Sequence, residues 1–234
     1  MITVRTRLLR AIDRAGFELR RHPAHRRVQL LHAHGVDLVL DVGAARGGYA
    51  SELRRFGYGG RLVSFEPLGQ AHEALAARAA GDLRWTVHHT ALGDRPGTAQ
   101  INVAGNSDSS SLLPMLDRHR SAHPPADYVG TEQVAVSTLD AFAAELDGAR
   151  APFLKVDTQG FERAVLDGAR TVLPALVGVQ LELSFVPLYQ DGMLVQEAID
   201  RMVGAGFVLM RVEPGFTDAS NGQMLQADGL FFRP

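Results

Sequence analysis

The sequence predicts a doubly wound α/β sheet, mostly parallel, with an antiparallel hairpin at its C-terminal edge. Three observations predict it. Short apolar runs of the kind buried on both faces of a parallel sheet alternate with helical patterns of about 10 to 15 residues. The first of these runs, "DLVLDVG", passes directly into a glycine-rich turn and a helix. The last two, "FVLMRVE" and "GLFFRP", have no helix between them, so they read as antiparallel neighbours.

The elements follow in order. Leu8, Leu9, Ile12, Ala15 and Leu19 recur at helical spacing, with Arg5, Arg7, Arg10, Arg14, Arg20 and Arg21 around them. Such a helix either docks on its own domain with its arginines in water, or lies on an anionic membrane or acidic partner. Residues 1–37 are therefore expected to form an N-terminal helical extension, and residues 38–234 one domain. A helix from Gly48 to about Phe56, the strand "RLVSFEP", the helix "GQAHEALAARAA" and the strand "RWTVHHTAL" follow the first strand. Farther on come "APFLKVDTQG" with the helix "FERAVLDGARTVL", then "ALVGVQLELSF" and the helix "LVQEAIDRMVGAG". Residues 94–139 break this rhythm. They hold two strand-like runs, "TAQINVA" and "EQVAVSTL", separated by polar and proline-containing stretches, and are expected to form a lid-like insertion.

Composition narrows the class. The 234 residues are 46% hydrophobic and 21% charged, as in ordinary soluble globular proteins. A net charge of −2 argues against a dedicated nucleic-acid binder. Without cysteine there is no disulfide, thiolate metal site or cysteine nucleophile. No apolar run approaches the roughly 20 residues of a membrane span, and arginines interrupt the N-terminus too often for a signal peptide. A cytoplasmic location is expected. The basic residues are arginines throughout, except for Lys155.

In open α/β sheets, ligands bind outside the carboxyl ends of the strands. Asp41, Gly43, Gly47 and Gly48 stand at that end of the first strand, where glycine permits a sharp turn and a close approach of backbone to ligand. Neither G-x-G-x-x-G nor G-x-x-x-x-G-K-[ST] is present, which counts against a dinucleotide fingerprint and a Walker-type loop. Glu66 closes the next strand 25 positions after Asp41, where an acid can accept hydrogen bonds from ribose hydroxyls. Pro67 stops that strand. Together these residues favour a nucleoside ligand.

In this order, "DVGAARGGYASEL", "SFEP", "TALGD", "SSSL", "STLD", "FLKVDTQGFERAVLDGA", "VQLELSF" and "MLQADGLFFR" resemble the FkbM family of S-adenosylmethionine-dependent methyltransferases. The resemblance runs from about Leu38 to the C-terminus. It implies a class I, Rossmann-like methyltransferase fold and O-methylation, often of sugar or natural-product hydroxyls. It also implies that Asp41, Gly43 and Gly47 line the methionine part of the cofactor, that Glu66 takes the ribose, and that Ala44 and Pro67 belong to the same cofactor-binding set. Ala91 and Leu92 would lie near the adenine, and Ser109 and Ser110 at the cofactor or acceptor. Ala45 departs from the family pattern, in which asparagine is common.

An aliphatic hydroxyl is a poor nucleophile near neutral pH and needs a general base or a metal ion. In "FLKVDTQG", Phe153, Lys155 and Asp157 share one strand face and Leu154 and Val156 the other. Asp157 ends the strand at the ligand rim, as a base or as a cap on the next helix. Lys155 is either one half of an ion pair or part of the chemistry. Glu182 repeats the pattern in the following strand; with Asp157 it could hold Mg²⁺ or another hard cation, or bind substrate. Glu162 reads as ordinary helix-dipole chemistry. His88 and His89 read as satisfied histidines, and Tyr189 as pocket wall or core. The expected acceptor is a sugar, glycolipid or polyketide-like molecule. An NAD-type oxidoreductase on the same sheet and a non-catalytic nucleoside-binding module are the alternatives.

Overall fold

The computed structural model describes residues 4–17 and 22–234. Two helices, α1 (Val4–Arg14) and α2 (Pro23–Ala33), precede the first strand; Leu19, Arg20 and Arg21, expected on the basic helix, lie outside the described residues. Then come β1 (Leu38–Val42), α3 (Gly48–Arg55), β2 (Arg61–Phe65), α4 (Gly69–Ala79), β3 (Trp85–His88) and β4 (Ala91–Leu92). The insertion carries β5 (Gly97–Ala104), α5 (Asp117–Ala122) and β6 (Tyr128–Ser137). β7 (Pro152–Val156), α6 (Glu162–Asp167), β8 (Gly178–Ser184), α7 (Val195–Gly204), β9 (Val208–Pro214) and β10 (Gln226–Phe232) complete the chain.

Seven strands form the main sheet in the order β3-β2-β1-β7-β8-β10-β9. β10 runs antiparallel to both its neighbours, while the β3-β2-β1-β7-β8 pairings are parallel. The expected C-terminal hairpin is present, with β10 inserted between β8 and β9 so that β9 takes the edge.

Alternation of side chains along β1 and β7 separates two cores. Leu38, Leu40, Val42, Leu154 and Val156 pack with Val165 of α6 and Met202 of α7. Val39 and Phe153 pack on the opposite face with Leu230, Phe232, Leu53 of α3, and Val28 and Leu31 of α2. The helix directly before β1 is thus part of the core. Among the described residues, no helix is long and apolar enough to cross a membrane.

The run read as one strand from Arg84 to Leu92 divides. Its first half, β3, edges the main sheet, and β4 joins a second sheet of order β4-β6-β5. β5 and β6 pair antiparallel from Gly97↔Val136 to Ala104↔Tyr128, so the insertion is built on ordered strands.

Candidate active site

Strand register and alternation lay polar side chains in two rows on the α2–α3 face of the sheet. Ser64, Asp41, Lys155 and Gln180 stand side by side across β2, β1, β7 and β8. Two positions farther toward the carboxyl rim come Glu66, Gly43, Asp157 and Glu182, with Asp228 of β10 opposite Glu182.

The lower row is buried, with Lys155 and Gln180 just reaching a chamber at the rim. Asp41 is fully buried, and the Lys155 ammonium lies 3.0 Å from its Oδ1. Lys155 Nζ also donates to the Gly43 carbonyl at 2.8 Å and the Val42 carbonyl at 3.4 Å, and lies 3.8 Å from Asp157 Oδ2. Burial alone would lower the lysine pKa, but Asp41 and Asp157 outweigh it and leave it raised, so the ammonium stays charged. Trp85 Nε1 donates to Ser64 Oγ at 3.0 Å, and Tyr49 donates its hydroxyl hydrogen to Gln180 Oε1 at 3.1 Å.

The glycines of the turn serve different neighbours. Gly43 has φ +73°, and a Cβ there would fall 1.9 Å from the Asp157 carbonyl oxygen. Gly47 has φ +79°, and a Cβ there would meet Leu75 at 2.9 Å and Trp85 at 3.2 Å. Only Gly48 of this turn faces open space. Glu66 braces the turn: its Oε2 accepts from the Ala45 N–H at 2.8 Å and its Oε1 from the Leu68 N–H at 2.9 Å. Burial pushes the Glu66 carboxyl up to about 7 despite these two donors.

Two chambers meet at the rim. The first has an apolar wall including Phe65, Leu92, Ile101 and Phe161, with Glu66 on its polar side. The second is lined mainly by charged and polar residues, Arg27, Arg46, Tyr49, Lys155 and Asp228 among them. Gly43, Ala45, Asp108 and Asp157 line both.

The turn after β7 is tightly specified. Gln159 (φ +55°) and Gly160 (φ +97°) are both left-handed, and a non-glycine residue in that region is strained unless its surroundings hold it. They do. Glu162, buried at the start of α6, accepts from the N–H groups of Thr158 at 2.9 Å and Gly160 at 3.1 Å through Oε1. It is a brace for this turn and more than a dipole partner. Gln159 Nε2 donates to Asp157 Oδ1 at 2.8 Å and to both Glu182 oxygens at 3.2 Å. Gln159 Oε1 accepts from the Tyr189 hydroxyl at 2.7 Å, and its carbonyl from Ser111 Oγ at 2.7 Å.

Burial, with the charges of Asp157 and Glu162, pushes Glu182 well above the usual carboxylate range. Burial and Asp157 raise Asp228 to about 6. The Asp157 side chain is 36% exposed. This donor set does not fit Mg²⁺: an N–H donor bridges Asp157 and Glu182, and among the described residues no group of three or more His, Asp or Glu side chains is arranged to hold a metal.

Several residues singled out in the sequence come together around the chambers. Gly43, Glu66, Pro67, Ala91, Leu92, Ser110 and Asp157 line the first, and Gly43, Ala44, Lys155 and Asp157 the second. Others stand behind the walls. Asp41 lies beneath the rim, committed to Lys155, and Gly47 is turned to Leu75 and Trp85. Ser109 accepts from Asn106 and, through its carbonyl, from Tyr189, while Glu182 lines neither chamber and reaches Asp157 through Gln159. His88 bonds Glu145 at 2.8 Å and His89 the Pro67 carbonyl at 3.0 Å, as satisfied histidines do. Sequence reasoning missed Gln159, Gln180, Asp228 and Arg27. The glutamine before Gly160 carried a signal as a turn residue. Asp228 carried one through its two-residue offset from Leu230, hidden because the strand was expected to begin at Gly229.

A family model described as the methyltransferase FkbM domain matches residues 41–209. None of the curated proteins matches the chain. An rRNA methylase from Streptococcus thermophilus superimposes with a TM-score of 0.48 at 12% identity, over 92% of this chain and 98% of that one. The precorrin-6y C5,15-methyltransferase of Geobacter metallireducens does so with a TM-score of 0.46 at 10% identity, over 90% and 87%. Because the family model spans well over half of the sequence, and the glycine turn and strand-end acid it includes frame one crevice, the chain belongs to the FkbM family of S-adenosylmethionine-dependent methyltransferases.

Proposed function

We propose that this methyltransferase acts on oxygen, methylating a hydroxyl of a sugar, glycolipid or polyketide-like acceptor, with Asp157 as the general base. The observation that carries this reading is the place of Asp157: its partly exposed carboxylate lines both the first chamber and the polar one beside it.

The first chamber has the lining of a nucleoside pocket, mostly apolar with a few placed polar groups. Phe65, Ala91 and Leu92 offer an apolar slot for a base, and Glu66 keeps lone pairs for ribose hydroxyls after accepting two backbone N–H groups. The open Cα face of Gly48 leaves room for the methionine end beside the turn. When bound, S-adenosylmethionine supplies an electrophilic methyl group. The chain's own residues orient the hydroxyl and take its proton, and Asp157 Oδ2, free of the Gln159 bond, is the acceptor atom. Glu182, whose carboxyl burial and the neighbouring charges push well above the usual range, shares the Gln159 amide and fixes Asp157 from behind.

Calorimetry with S-adenosylhomocysteine and methyl-transfer assays on a panel of glycan and polyketide hydroxyls test the reading. Asp157→Asn is expected to keep product affinity within a few-fold and lower turnover by about 10²- to 10⁴-fold. Turnover equal to wild type would move the base elsewhere, and transfer confined to nitrogen or carbon acceptors would overturn O-methylation.

A further inference from the structure

Lys155 is the single lysine of a chain otherwise supplied with arginine. It sits at the crossing of the two structures that the reaction needs in fixed relation: the turn that receives the cofactor and the strand end that carries Asp157. Its ammonium has three hydrogens. It donates to the Gly43 carbonyl at 2.8 Å and forms an ion pair with Asp41, whose Oδ1 lies 3.0 Å away. It also donates to the Val42 carbonyl at 3.4 Å and lies in the field of Asp157 Oδ2, 3.8 Å away. The Tyr49 ring closes the site, its centroid 5.5 Å from Nζ.

A guanidinium is planar, bulkier and forked, and cannot converge its N–H groups on acceptors grouped around one point as a tetrahedral ammonium does. A larger head would have to leave this cluster for the second chamber, which Lys155 also lines, and so give up the contacts made here. Lys155 and Asp41 are almost wholly buried, and Gly43 already touches the Asp157 carbonyl closely enough to forbid a Cβ. We propose that Lys155 is a positioning residue: it pins the Gly43 carbonyl and steadies Asp157 from one buried ammonium, so that cofactor turn and base keep a single geometry. It does not touch the acceptor. This inference rests on the methyltransferase reading, and it assigns Lys155 a task distinct from proton transfer.

Because the lysine is unique, ¹⁵N-lysine labelling gives a single Nζ signal in the intact protein. That signal is expected to shift on addition of S-adenosylhomocysteine, and to shift again in Asp157→Asn without loss of product affinity. Lys155→Arg, the conservative variant, is expected to fold and to bind S-adenosylhomocysteine at least tenfold more weakly. A wild-type Nζ signal indifferent to both S-adenosylhomocysteine and Asp157→Asn overturns the proposal, and that measurement stands even if Lys155→Arg does not fold. Lys155→Arg that only lowers the melting temperature, with product affinity unchanged, overturns it as well. Failure of the wild-type protein to bind S-adenosylhomocysteine is a different result, which removes the cofactor reading beneath it.

Discussion

The Gly43 Cα and the Asp157 carbonyl are in such close contact that a Cβ on Gly43 would lie 1.9 Å from the carbonyl oxygen. The cofactor turn and the proposed base are therefore coupled by backbone contact as well as by Lys155. Glycine at 43 is required by φ and by space at once, and the space is taken by protein rather than ligand.

Gly43→Ala should accordingly damage the fold. An overpacked contact costs about 1–3 kcal/mol and a left-handed alanine roughly 1–2 kcal/mol more. Gly48→Ala should not, because its Cβ would enter open space at the first turn of α3, where alanine is the better helix former by up to about 1 kcal/mol. Urea denaturation should separate the two, and calorimetry should find product affinity reduced about tenfold in Gly48→Ala although its fold is intact.

Glu66 is expected to make cofactor binding pH-dependent. Burial raises its carboxyl to about 7, so the free protein favours the protonated form between the ordinary carboxylate range and pH 7, and deprotonation there costs stability. Ribose hydroxyls donate hydrogen bonds and prefer the carboxylate. Affinity for S-adenosylhomocysteine should therefore rise as pH increases through about 7, with a proton released on binding that calorimetry in buffers of different ionisation enthalpy detects. Glu66→Gln should bind more weakly and lose this dependence.

His119 gives the insertion an acid-sensitive contact. It is buried between Tyr189 and Phe216, its Nδ1 has no partner among the described residues, and burial lowers its pKa to about 4. The folded state favours neutral imidazole, so this contribution is complete above the unfolded value near 6.5 and is lost as pH falls toward 4. Denaturation midpoints measured from pH 7.5 to 4.5 should fall less steeply for His119→Leu than for wild type.

Arg27 ties α2 to the sheet through a buried pair, Nη2 to Glu213 Oε2 at 2.6 Å. Arg27→Met should cost about 3 kcal/mol, the lower end for breaking such a pair, because Arg211 still contacts Glu213 at 2.9 Å. Adding Glu213→Leu should recover part of the loss in urea melts; strict additivity of the two changes would contradict the pairing.

The continuous apolar runs at β1, β2, β7 and β8 were legible because burial on both faces leaves no other composition possible. The division of Arg84–Leu92 was not. His89 and Thr90 carry no breaker signal, and β4 leaves the main sheet because β6 offers it a partner from 45 positions later in the chain. The insertion was recognised as a departure from the rhythm, but its strands find each other only through pairing across a loop that holds α5.

The site divides along the same line. Local pattern by itself determined that Asp157 ends a buried strand, that Glu66 ends another, and that a glycine turn stands at the rim, because strand alternation and turn chemistry are written in neighbouring residues. Tertiary structure decided what each of them touches. Lys155 meets the Gly43 carbonyl across 112 positions, and Gln159 joins Asp157 to Glu182 and Tyr189. Register between distant strands sets these contacts, and register belongs to the folded sheet rather than to any one segment of the chain.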